Sequence, residues 1–318
     1  MFRYLFCLFF CFLSSCDSSV KVSDEILDIP VSIKLKRFDQ RFVNVDKLEL
    51  LKLKDEFPYL FNNRVKDTFW LKKSADSLQI ELVNEVSKVF PLSYDFNEEF
   101  DLFYKHLKYY YPQIIEPEIV TLIGDVDYKN RVILTKELLL VSLDSYLGSD
   151  HHFYIDIQNY ISNELKKDNL IIDVAYEYVK KIAVRANSRD FISQMILHGK
   201  RQYLVSQLLP FKSDFNVLFM TEEEYAWSLQ NESFIWRYFI DKDYLYSTDK
   251  NLLPRFLYPA PFSKFYLEID QETPGEIAKF IGYQIVLAFM NNNQVSLHQL
   301  MEMDEKSIFE LSKYKPRK

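Results

Sequence analysis

The chain has 318 residues, 48% of them hydrophobic, and a formal net charge of −7 with a pI near 5.4. That charge argues against nucleic acid, which needs a basic face, and against adsorption of the folded body to anionic headgroups. Only five glycines occur, so few positions can take positive φ without strain, and no glycine-rich phosphate loop, dinucleotide fingerprint or G-x-S-x-G elbow is present.

The first element is a secretion signal. Arg3 is the lone basic residue, Tyr4 to Leu13 is an apolar core, and Leu13-Ser14-Ser15-Cys16 closes it. The core is far shorter than the roughly 20 residues that span a bilayer, and small residues precede the cysteine. Residues 1–15 therefore read as a lipoprotein signal peptide, with cleavage before Cys16 and lipidation of its sulfur. Cys7 and Cys11 leave with the signal, so the mature chain has neither a free thiol nor a disulfide and relies on its core. Residues 16–26 read as a lipidated tether and 27–318 as a single α+β domain, with 27 Phe and 22 Tyr supplying core volume. The lipid on Cys16 is the expected link to the membrane, with two or more acyl chains needed for a stable hold.

Alternation predicts a strand at Ile29–Leu35. Asp46–Lys54, Ser77–Phe90 and Asn97–Tyr111 read as helices. Glu118–Val126 and Arg131–Leu143 read as strands joined by a hairpin turn at Asp127–Asn130. From Ile161 onward the pattern is mainly helical. A helix over Arg189–Leu208 carries Gly199 in its interior, at a cost of about 1 kcal/mol against Ala. Thr221–Glu224, Thr273–Glu276 and Ser296–Gln299 read as helix starts. The basic ending Lys313–Lys318 reads as a solvated tail. These elements give an α+β fold, a small antiparallel or mixed sheet covered by many helices.

Chemistry is sparse. The five histidines are His106, His151, His152, His198 and His298. None pairs with another one helical turn apart, as a zinc peptidase helix requires. Adjacent side chains such as His151 and His152 point away from each other and chelate poorly. His198 beside Gly199 marks close helix packing and a candidate residual pocket. The segment Pro261, Phe262, Ser263 and Lys264, stiffened by Pro259 and Pro261, is a candidate partner surface, with a structural turn as the plainer reading. Trp227, Phe234, Trp236, Phe239 and Ile240 fall near one side of a helix and read as core. No metal site and no cofactor is expected.

Long segments resemble the gliding motility lipoprotein GldB family: Lys36–Phe42, Ile192–Leu204, Asn231–Asp249, Ala260–Val286 and Ser312–Pro316, together with the lipobox. The resemblance implies a lipoprotein of the cell envelope in gliding bacteria. It also implies a role in surface gliding and the associated type IX protein secretion, with other envelope proteins of that machinery as partners and no known biochemical activity. The family is in turn similar to predicted zinc-dependent proteases. On that likeness the ligand helix would correspond to Tyr178–Arg185, which has no ligand, and a degenerate peptidase-like scaffold without metal ligands is implied. The expected function is a lipid-anchored, non-enzymatic component of that machinery, its scaffold reused for binding, and the rival is an envelope hydrolase with an unrecognised site.

Overall fold

The computed structural model describes residues 22–183 and 185–317. Cys16 and the signal segment lie outside them. The longer helices are α1 (Lys47–Glu56), α2 (Asp67–Ser74), α3 (Ser77–Val89), α4 (Asn97–Tyr110), α5 (Leu170–Ile182), α6 (Phe191–Leu208), α7 (Glu222–Asp241), α8 (Ile277–Asn292) and α9 (Glu305–Ser312). The strands are β1 (Leu35–Arg37), β2 (Glu118–Leu122), β3 (Val132–Leu134) and β4 (Leu138–Ser142), in the order β1-β2-β4-β3.

The sheet is mixed. β1 and β2 are parallel, as are β2 and β4, whereas β3 runs antiparallel to β4. Its faces follow from the strand period of two. Ile119, Leu139 and Val141 enter the main core. Val120 points the other way, into a smaller core of Phe38, Phe42, Leu50, Leu53, Phe57 and Phe61. The sheet is thus sandwiched, with the N-terminal helices on one side and the large helical body on the other, as parallel strands require.

Four local expectations change. The first strand forms at Leu35–Arg37 rather than Ile29–Leu35. Its partner among the described residues, β2, begins just after Pro117, which has no N–H to give, so the ladder with β2 extends no further back. Val31 and Ile33 nonetheless pack on the core. Second, Asp127–Asn130 is not a hairpin turn. The hairpin lies inside the second apolar run, where the Thr135 hydroxyl accepts from Leu138 N at 2.9 Å. The 123–131 segment instead carries β2 across to β3. It is bent by Asp125 and Val126, both at positive φ, and their turn is held by the buried Asp144 carboxylate, which accepts from Gly124 N (2.8 Å) and Val126 N (2.6 Å).

Third, the helix after Thr273 starts late. Glu276 takes φ 55 and α8 begins at Ile277, while the Thr273 hydroxyl donates back to Ile269 O. The capping boxes at Thr221 and Ser296 do form. Fourth, the basic ending is held at Tyr314, while Lys313, Lys315 and Arg317 are exposed as expected. Tyr314 packs edge-on against Trp236, centroids 5.1 Å apart, and donates to the buried Glu232 carboxylate at 2.7 Å. Trp236 and Phe239 are core, but Phe234 and Ile240 on the same helix are exposed.

α6 and α8 form the most extensive helix contact among the described residues. Asp190 caps α6 by accepting from Ser193 N at 2.9 Å. Gly199 of α6 faces Gly282 of α8 so closely that a Cβ on either would lie well under 3.0 Å from backbone of the other helix. α6 also holds a buried ammonium: Lys200 donates to Met303 O (2.7 Å) and pairs with Glu305 of α9 (3.3 Å).

Candidate functional site

Beside the α6–α8 crossing, three adjoining cavities of about 210, 240 and 380 Å³ meet at Glu164 and Pro259. The innermost, of about 210 Å³, lies among α5, α6 and the start of α8. His198 and Gln202, one turn apart on α6, line it together with Tyr176, Arg201, Glu276 and Lys279. The helical period puts both polar side chains on the cavity side, while Leu197 and Leu204 point into the body.

The charges around this cleft are arranged in pairs. Arg131 forms a fork with Asp173, Nε to Oδ2 at 2.6 Å and Nη2 to Oδ1 at 2.7 Å, and reaches Glu164 at 3.1 Å. Tyr146 donates to the same Asp173 carboxylate at 2.9 Å. Burial disfavours the Arg131 charge, but Asp173 more than restores it and raises its pKa. Burial raises the Glu164 pKa, with Arg131 opposing. Lys279 pairs with Glu276, and Lys180 with Glu177 at 2.6 Å. Arg201 donates to Ala183 O at 2.8 Å.

His198 is different. Burial, helped by the nearby Lys279 and Arg201 cations, lowers its pKa to about 3, so the imidazole is neutral at physiological pH. Gln202 is 2% exposed, and its Oε1 has no hydrogen-bond partner among the described residues.

The sequence candidates therefore separate. His198 lines the inner cavity and Pro261 lines its neighbour of about 240 Å³, so two of them share one cleft. Phe262 is half-buried, and Lys264 is exposed. Ser263 is not on the surface: fully buried, it donates to Pro274 O at 2.7 Å and accepts from Ile277 N at 3.1 Å, which makes it the cap of α8. The rings of His151 and His152 lie side by side, centroids 4.4 Å apart, rather than pointing away. His151 Nδ1 accepts from Phe153 N, which leaves the proton on Nε2 facing Glu85 at 3.4 Å, while His152 meets Glu81 at 3.2 Å. No group of three or more His, Cys, Asp or Glu among the described residues is placed to hold a metal ion.

The sequence reading missed Arg131, Glu164, Asp173 and Gln202. Three of these come from distant segments, and only the fold brings them together. Gln202 had a signal: it stands one turn from His198, on the same side of the helix. A zinc peptidase helix would carry histidine at this spacing, with glutamate directly after the first. Here the order is His198-Gly199-Lys200-Arg201-Gln202, and the glutamate place is taken by the glycine of the helix crossing.

No helix of the described residues is long and apolar enough to cross a membrane. The family model described as gliding motility protein GldB matches residues 19–316. No curated protein and no solved structure matches the chain.

Proposed function

Because the chain belongs to the GldB family of gliding motility proteins, we propose that it is a lipid-anchored, non-enzymatic component of the machinery for surface gliding and the associated type IX secretion. The family match over residues 19–316 carries the gliding role. The lipid anchor is supported by the short apolar core and by Leu13-Ser14-Ser15-Cys16, and on this reading the domain sits in the cell envelope facing the periplasm. Other envelope proteins of the machinery are its partners, and the exposed side of Phe262 and Lys264 is one contact surface.

A non-enzymatic role is supported by residues rather than by an empty site. Metal-assisted hydrolysis at α6 needs a second imidazole one turn from His198 and a carboxylate beside it to activate water. Gln202 occupies the first place and Gly199 the second. Gly199 cannot be a glutamate without parting α6 from α8. The acid with a raised pKa in the cleft, Glu164, is held by Arg131.

The test is a clean deletion in the native host, scored for spreading and for export of surface adhesins. Loss of gliding with impaired export is expected, and normal spreading with normal export would refute the assignment. Elemental analysis and a peptide-cleavage screen on the purified protein address the rival reading. About one zinc per chain, lost in His198→Ala, would establish the hydrolase instead.

A further inference from the structure

The inner cavity has two polar side chains that the protein itself leaves unanswered. The buried Gln202 Oε1 lacks a partner, and the His198 ring makes no hydrogen bond among the described residues. Buried polar groups are otherwise almost always paired, and leaving one unpaired is costly. The cavity holds about 210 Å³, against the roughly 10–15 Å³ that a single water occupies. The space therefore exceeds what one bridging water would fill.

The lining specifies the kind of ligand. A neutral imidazole offers one donor and one acceptor, and a glutamine amide offers both as well. The matching group is one whose atoms also donate and accept, which describes hydroxyls. Three cations of the cleft already face carboxylates: Arg131 with Asp173 and Glu164, Lys279 with Glu276, and Lys180 with Glu177. A charged ligand would compete with these pairs, whereas a neutral one would leave them intact. Tyr176 and Phe219 stand together at the cavity wall, centroids 5.4 Å apart and tilted by 31°. They supply an apolar face for the C–H side of a ring. Further out, the neutral amides of Asn163 and Asn216 line the adjoining cavity.

A peptide fits less well. Main-chain recognition of an extended segment uses a free strand edge. The edge strand nearest the cleft, β3, is packed against α5, and Leu134 O already accepts from Lys181 Nζ at 2.7 Å.

We propose that the cleft binds a neutral saccharide, with one sugar ring seated between His198 and Gln202 on one side and the Tyr176–Phe219 pair on the other, and with neighbouring units running out past Asn163 and Asn216. This goes beyond the motility role and does not depend on the site of anchoring.

The purified protein is screened against an array of neutral hexose and N-acetylhexosamine oligomers, and hits are titrated while the His198 ring is followed by NMR. Saturable binding that moves the His198 signals is expected. In Gln202→Met, affinity should fall about tenfold, the order of one buried hydrogen bond left unmade. The same variant should melt no lower than the parent, because it removes an unpartnered buried polar atom. Three results would overturn the proposal: no array binding, binding confined to acidic glycans or peptides, or neutral-glycan binding that neither moves His198 nor weakens in Gln202→Met.

Discussion

Gly199 and Gly282 meet backbone to backbone where α6 crosses α8. A Cβ on Gly199 would collide with the Gly282 carbonyl, and a Cβ on Gly282 with that of Met195. No flexible side chain can yield there, so the helices must separate. Each of Gly199→Ala and Gly282→Ala is expected to cost about 3 kcal/mol, at the upper end for overpacking, against the gain of about 1 kcal/mol that alanine brings to an exposed helix interior. Thermal melting checks this. An unchanged or raised melting temperature in either variant would show that the crossing has slack.

Ser263 and its neighbours should part company under mutation. Ser263→Ala strands Ile277 N–H in the interior, while Pro274 O keeps the Ser263 backbone N–H, for a loss of about 1–3 kcal/mol. The double variant Phe262→Ala with Lys264→Ala leaves the cap intact. It is expected to keep the parent melting temperature while lowering recovery of partner proteins crosslinked in cells. If the double variant unfolds before it loses partners, the segment serves the fold alone.

His198 predicts a pH dependence of stability. Its folded pKa of about 3 lies below the ordinary 6.5. Between those values the unfolded chain holds a proton that the folded chain does not, so stability is lost as pH falls from about 6.5 toward 3. The slope is at most about 1.4 kcal/mol per pH unit. The charged and titratable groups facing the ring are Arg201 on α6, Lys279 and Glu276 at the start of α8, Tyr176, Asp173 and Lys180 on α5, and Glu164 and Arg131 across the cavity. Glu164, raised by burial, contributes with the opposite sign at and above the ordinary carboxylate range. The difference between the parent and His198→Asn is therefore the informative quantity. Denaturant midpoints at pH 7 and pH 5 should converge more in the variant than in the parent, and equal slopes would place the imidazole in solvent.

Cys16→Ala tests the anchor. On the proposed anchoring through the Cys16 sulfur, the variant should lose acyl label and accumulate as unprocessed precursor. Full labelling and normal processing in the variant would move the anchor elsewhere.

Much of the fold was legible because it is written in short-range chemistry. Thr221 and Ser296 each announce a helix by a side chain that accepts a nearby backbone N–H, and both do so. The apolar runs at 118–122 and 138–142 are strands because β-branched and leucine side chains fill both covered faces of the sheet. The errors fall where a distant group intervenes. Asp144 turns the chain at 124–126, and Ser263 rather than Thr273 caps α8. Tyr314 anchors an ending whose charged residues Lys313, Lys315 and Arg317 do lie in solvent.

The sequence alone determined the net negative charge, the absence of cysteine after Cys16, the family and the bounds of several helices. All of these depend on composition or on residues within a few positions of one another. Only the tertiary structure decided that Gly282 is what Gly199 meets, that Ser263 is interior, and that Arg131, Glu164, Asp173, His198 and Gln202 share one cleft. Those relationships join residues tens of positions apart. They exist only once burial has paid for the conformational entropy of closing the chain around them.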